Sequence, residues 1–130
     1  MNRFVIATAT LFACSVGQGI AADFDGSKLL ICATTDAFEC TAKGGCARGR
    51  AEEIGAPSFF RIDFAARSIV GTQRSTPIVR QEKSDGQILL QGSEHENAWS
   101  LALDSASGRV SGTLVAGDSA IVIFGGCTPR

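Results

Sequence analysis

Residues 98–104 read Ala98-Trp99-Ser100-Leu101-Ala102-Leu103-Asp104, and residues 60–64 read Phe60-Arg61-Ile62-Asp63-Phe64. In both stretches a large apolar side chain returns at every second position: Trp99, Leu101 and Leu103, then Phe60, Ile62 and Phe64. A strand sends successive side chains to opposite faces, so this alternation describes strands with one buried and one wet face. The same reading extends outward to Lys28–Thr34, Ser68–Arg74, Ile78–Glu82, Ile88–Gln91, Val110–Val115 and Ala120–Phe124. Between them, Ala65-Ala66-Arg67, Ser84-Asp85-Gly86, Ser105-Ala106-Ser107-Gly108 and Gly117-Asp118 have the composition of tight turns. Pro77 marks a sheet edge or the start of a strand. Strands returning at intervals of roughly 8–12 residues predict an all-β fold. The expected form is an antiparallel meander of about eight strands, closed or partly closed as a barrel, with a β-sandwich as the alternative. Helical periodicity is absent, and the best helical candidate is a single turn at Arg50–Ile54, stopped by Gly55 and Pro57. Residues 34–57 form the one long irregular stretch.

The first 22 residues, MNRFVIATATLFACSVGQGIAA, differ in kind from the rest of the chain. One positive charge, Arg3, precedes an apolar run from Phe4 to Ala13, and small residues come next near Ala21-Ala22. The run suits the hydrophobic region of a signal peptide and is too short to cross a bilayer as a helix. The expected organisation is a signal peptide over 1–22 and a single β domain over 23–130, in the periplasm or secreted. The alternative is a lipoprotein anchored through Cys14, although Phe12 is bulky where lipoprotein processing requires a small residue.

The domain over 23–130 is long enough for one core. Without Arg3, the 12 Lys and Arg become 11, against 13 Asp and Glu, a net charge of −2. Its basic residues, among them Arg48, Arg50, Arg61, Arg67, Arg74 and Arg80, are scattered and form no stripe for a phosphate backbone. Nucleic acid is therefore not an expected partner, and no second apolar run points to a membrane after cleavage.

Four cysteines remain: Cys32, Cys40, Cys46 and Cys127. An even number in an oxidising compartment reads as two disulfides. The spacings lack the paired Cys-x-x-Cys of a zinc site, and His95 is the single histidine. Three pairings are open. The favoured one joins Cys40 to Cys46 across a hairpin through Lys43-Gly44-Gly45, and Cys32 to Cys127 between the first and last strands.

No catalytic, metal or cofactor signature emerges. His95 lies in Ser93-Glu94-His95-Glu96-Asn97, which reads as a wet loop, and no strand-turn-helix serine motif is present. Asp85, Asp104 and Asp118 sit where turns favour aspartate. Asp23-Phe24-Asp25-Gly26 begins like a calcium loop, but Thr34 stands where a bidentate Glu is needed. That segment is expected to be a flexible start of the domain. Trp99, Leu101, Phe60, Ile62 and Phe64 are the candidate ligand-facing or core residues, and Ser105, Ser107 and Gly108 form a candidate contact loop.

Phe38-Glu39-Cys40, Gly45-Cys46, Ala51-Glu52-Glu53-Ile54, Phe59–Phe64, Ala98-Trp99-Ser100 and Phe124-Gly125-Gly126-Cys127 together resemble a family of small, functionally uncharacterised exported bacterial β proteins. The resemblance covers nearly all of the domain and implies export and a β fold, without an activity. Ser105-Ala106-Ser107-Gly108, with Ala116-Gly117-Asp118-Ser119-Ala120 and a near-terminal cysteine, also resembles the C-type lysozyme inhibitors of bacterial envelopes. That resemblance implies a disulfide-bonded barrel presenting a serine-rich loop, but the chain has no tyrosine and no tryptophan just before Gly117-Asp118. The leading expectation is a noncatalytic envelope binding module or inhibitor of another secreted protein. The alternatives are a small-ligand carrier with an apolar barrel lumen, and an enzyme using carboxylate chemistry.

Overall fold

The computed structural model describes residues 23–130; the expected signal peptide, with Cys14, lies outside the described residues. Ten strands form one antiparallel sheet: β1 (Leu30–Thr41), β2 (Gly45–Gly49), β3 (Phe59–Asp63), β4 (Ser68–Gly71), β5 (Ser75–Pro77), β6 (Arg80–Lys83), β7 (Gln87–Glu94), β8 (Asn97–Asp104), β9 (Arg109–Ala116) and β10 (Ser119–Pro129). The order across the sheet is β5-β4-β3-β1-β10-β9-β8-β7-β6, and β2 pairs with β1 as a side branch. β5 and β6 stand at opposite ends of this order, yet only Ile78 and Val79 separate them. The sheet must therefore curl until its two edges meet. The meeting line is hydrogen-bonded: Ile78 N donates to Arg67 O at 2.8 Å, and Val79 N donates to Gln91 O at 2.9 Å. The result is a partly closed barrel.

The expected strand number differs from the observed one for two reasons. β5 and β6 are halves of one bent segment that pairs first with β4 and then with β7. Pro77 ends the first half, where the strand was expected to begin. The other reason is β2, which belongs to the stretch read as irregular. Residues 34–57 hold the second half of β1, all of β2 and a 3-10 turn at Ala51–Ile54. A register shift between Thr34 and Asp36 breaks the pairing of β1 and hides its continuity in the sequence. Beyond that shift, β1 exchanges β3 for β2 as its neighbour.

Both disulfides follow the favoured pairing, Cys32–Cys127 and Cys40–Cys46. Each joins residues directly opposite one another on adjacent strands. Two disulfides place the domain in an oxidising environment outside the cytoplasm. Among the described residues, no helix is long and apolar enough to cross a membrane.

The register defines two ends. The β6–β7 and β8–β9 turns share one end with the start of β1; the β4–β5, β7–β8 and β9–β10 turns share the other with the β1–β2 hairpin. The first end is filled. Leu30, Ile62, Ile88, Leu90 and Leu103 are fully buried, and Phe24 and Phe64 pack against them. The expectation of a flexible start is corrected here. Residues 23–29 lie across this end, with Phe24 over Gly108 and Lys83 Nζ donating to Asp25 O at 2.7 Å. Gly108 has φ +71°, and a β-carbon there would overlap the Phe24 ring. The segment is held because covering the barrel end removes an aromatic ring from water. Phe24→Ala is expected to lower stability by about 1–2 kcal/mol, since the ring is only partly buried, and chemical denaturation measures it.

Candidate functional site

The second end is open. A cavity of about 250 Å³ enters there. Its inner wall is apolar: Phe60 from β3, Ile69 from β4, Trp99 and Leu101 from β8, Leu114 from β9 and Ile123 from β10. These are the inward positions of alternating strands, so the pattern that makes the sheet also makes the wall. Gly112 lies between Leu101 and Ile123, where a β-carbon would stand 3.0 Å from Leu101 and 3.2 Å from Ile123. The 3-10 turn and the residues that follow it supply one side through Glu52, Gly55, Ala56 and Pro57. That turn is anchored by Thr34, whose Oγ1 donates to Pro57 O at 2.7 Å and whose N donates to Ser58 O at 2.9 Å.

Trp99 is held in a built setting. Its ring lies over Gly92, its register partner on β7, where a β-carbon would overlap the ring. Its Nε1 donates to Thr76 Oγ1 at 3.1 Å. One hydrogen bond and one missing side chain thus fix the ring against the cavity wall. Polar groups gather at the rim: Thr72, Gln73, Arg74, Thr76, Glu94 and Asn97. Arg74 Nε stands 3.6 Å from Glu94 Oε1, so the β4–β5 and β7–β8 turns face each other across the mouth.

The expected ligand-facing or core residues divide between the two ends. Trp99, Leu101 and Phe60 line the cavity. Ile62 is in the closed core, and Phe64 lies by Gly26 and the N-terminal segment. The turn Ser105-Ala106-Ser107-Gly108 is at the closed end. Ser107 donates from N and Oγ to Asp104 Oδ1 at 2.7 and 2.8 Å, Ser105 turns its hydroxyl inward, and Gly108 is buried. Of this turn, Ser107 and Ala106 are the exposed residues. Sequence reading missed Ile69, Leu114, Ile123 and the rim residues Arg74, Thr76 and Glu94. The alternation in β9 and β10 could have flagged Leu114 and Ile123. The rim could not be found, because β4, β5 and β7 meet only after the sheet curls.

His95 occupies the two-residue β7–β8 turn at φ +54°, with 83% of its side chain exposed and Nδ1 3.9 Å from Glu94 Oε1. Among the described residues, no group of three or more His, Cys, Asp and Glu is placed to hold a metal ion.

Two carboxyl groups have lowered pKa values, and both belong to the closed end. Hydrogen bonds from the Ser107 hydroxyl and amide, with the Ala106 amide and Arg109 adding to them, hold Asp104 below its ordinary 3.8. Asp25 is lowered by hydrogen bonding with Ser27, helped by Lys83. A depressed carboxyl stabilises the fold above its unfolded value, and that contribution is lost as pH falls through the lower folded value. Unfolding midpoints should therefore weaken on the acid side below pH 3.8. The double variant Asp25→Asn, Asp104→Asn should show a flatter acid limb in thermal melts.

In comparisons with known proteins, no family model matches this chain, and no curated protein or solved structure matches it.

Proposed function

We propose that this domain is a noncatalytic binding module of the periplasm or secreted space, and that it holds a small, largely apolar molecule in the open end of its barrel. The observation that carries the reading is the cavity: about 250 Å³, walled by Phe60, Ile69, Trp99, Leu101, Leu114 and Ile123, with polar groups confined to its rim. Ligand sites combine an apolar body with a few polar groups that orient the guest. An engineered cavity of roughly 150 Å³ holds benzene, so this one suits a ligand of about ten non-hydrogen atoms. The carrier reading thus gains support over an inhibitor acting through the Ser105–Gly108 turn.

The test uses the one tryptophan and the absence of tyrosine. Trp99 emission reports directly on the wall. Titration with 2-phenylethanol should change that emission saturably, and native mass spectrometry of the unreduced protein from its own host should show a bound small molecule. A flat titration together with a bare native mass sinks the reading.

A second reading, docking of another secreted protein, rests on the outer face of β3, β1 and β10. Phe59 is 59% exposed and Phe124 45%. Phe38 meets Phe124 edge-on with centroids 6.4 Å apart, and Ile31 lies on the same outer side. Exposed apolar patches mark contact surfaces when they are contiguous. Replacing Phe59 and Phe124 by serine should abolish capture of a partner while leaving the cavity's ligand bound.

A further inference from the structure

The rim of the cavity is electrically uneven. Its charged lining residues are Glu52, Glu94 and Arg74, two acids against one base. The Arg74–Glu94 pair is loose at 3.6 Å, and its members are not equally wet: the Arg74 side chain is 64% exposed, that of Glu94 only 23%. Water screens the exposed guanidinium more than the half-buried carboxylate. Among the residues that line the mouth, the two carboxylates therefore outweigh the one guanidinium. On the neighbouring turns of this end, Glu96 and Asp118 have the same sign, and Lys43 in the β1–β2 hairpin has the opposite one. Low-dielectric clefts edged by one sign of charge concentrate ligands of the other. The Trp99 ring, a wall of the same cavity, presents an electron-rich face that attracts cations.

We propose that the ligand is a small organic cation, an apolar body carrying one ammonium group, with the body against Leu101, Ile69 and Phe60 and the ammonium at the rim beside Glu94 and Trp99. The inference rests on the lumen being the binding site. An ammonium gains Glu94 as a partner without removing Arg74, whose guanidinium stays solvated. A carboxylate would have to take Arg74 from Glu94 and then remain beside that carboxylate's charge. No bond is made or broken, so the cavity needs only to bind and release.

Three probes of similar size separate the charge preference from the cavity itself: 2-phenylethylamine, protonated at neutral pH, 2-phenylethanol, neutral, and phenylacetate, anionic. Trp99 fluorescence titrations are the readout. The expected order of affinity is amine, alcohol, acid, with the amine about tenfold tighter than the alcohol, as one charge-assisted contact provides. Glu94→Gln should remove most of the amine's advantage over the alcohol, and an unchanged urea-unfolding midpoint shows that the variant is folded. Raising the salt concentration should erode the amine's advantage first. Equal binding of all three probes overturns the cationic preference and leaves the lumen site standing. Tightest binding of phenylacetate overturns it in favour of an Arg74 anchor. Binding of none overturns the lumen site and the preference together.

Discussion

Replacing Cys32 and Cys127 together by alanine lowers the folding stability by about 4–5 kcal/mol, in the chain-entropy account of disulfides. The two residues are 95 positions apart, and their bond closes nearly the whole domain into a loop. They also hold the first and last strands in register, at the pair Cys32↔Cys127 within the long β1–β10 ladder. Cys32 is buried, so its loss leaves a small void as well. The Cys40–Cys46 bond spans 6 positions in an exposed hairpin, and its removal is worth only about 2 kcal/mol by the same account. Urea unfolding of the two double-alanine variants under non-reducing conditions measures both. Equal losses would mean that the long loop is already ordered in the unfolded chain, and would sink the entropic explanation. A loss of 4–5 kcal/mol is a large share of the roughly 5–15 kcal/mol that a domain has in total. The open barrel end therefore depends on oxidation of a bond at the other end.

Gly92→Ala is expected to cost about 1–3 kcal/mol, the range for forcing extra carbon into a packed site, and to abolish ligand binding. A β-carbon at Gly92 would overlap the Trp99 ring and stand 2.5 Å from Pro77 O. The carbonyl is backbone and cannot swing aside, so the ring must move. Trp99 lines the cavity, so moving its ring off Gly92 disturbs the cavity wall and the bond from Nε1 to Thr76 Oγ1. Trp99 emission should shift, and the phenylethanol titration should become flat. Thr76→Val provides the comparison: it removes the hydrogen-bond partner without adding bulk at Gly92, so binding should weaken but survive. Gly92→Ala that binds normally would show that the ring does not form the wall.

Much of the fold is legible because strands carry local signatures. Trp99, Leu101 and Leu103 alternate within seven residues, and each inward position is buried or packed on the core. The turns at Asp104 and Gly117 announce themselves by residue type, and the even cysteine count implied two bonds. Other features resisted for equally physical reasons. The second half of β1 was lost because the register shift at Thr34–Asp36 interrupts its alternation. The fit of Phe24 over Gly108 was invisible because the two residues lie 84 positions apart in the chain and meet only when residues 23–29 cover the barrel end.

The division of labour is one of range. Sequence by itself determined the class of structure, an antiparallel β domain with four cysteines for two disulfides, since side-chain alternation, turn chemistry and cysteine count are properties of short segments or of composition. Tertiary structure alone decided the site. The bend at Ile78–Val79 brings β4 to β7 across the curled sheet, which sets Arg74 opposite Glu94 and Thr76 against Trp99. No short segment encodes that meeting: the cavity is the space left when ten strands of fixed alternation close over a core that fills only one end.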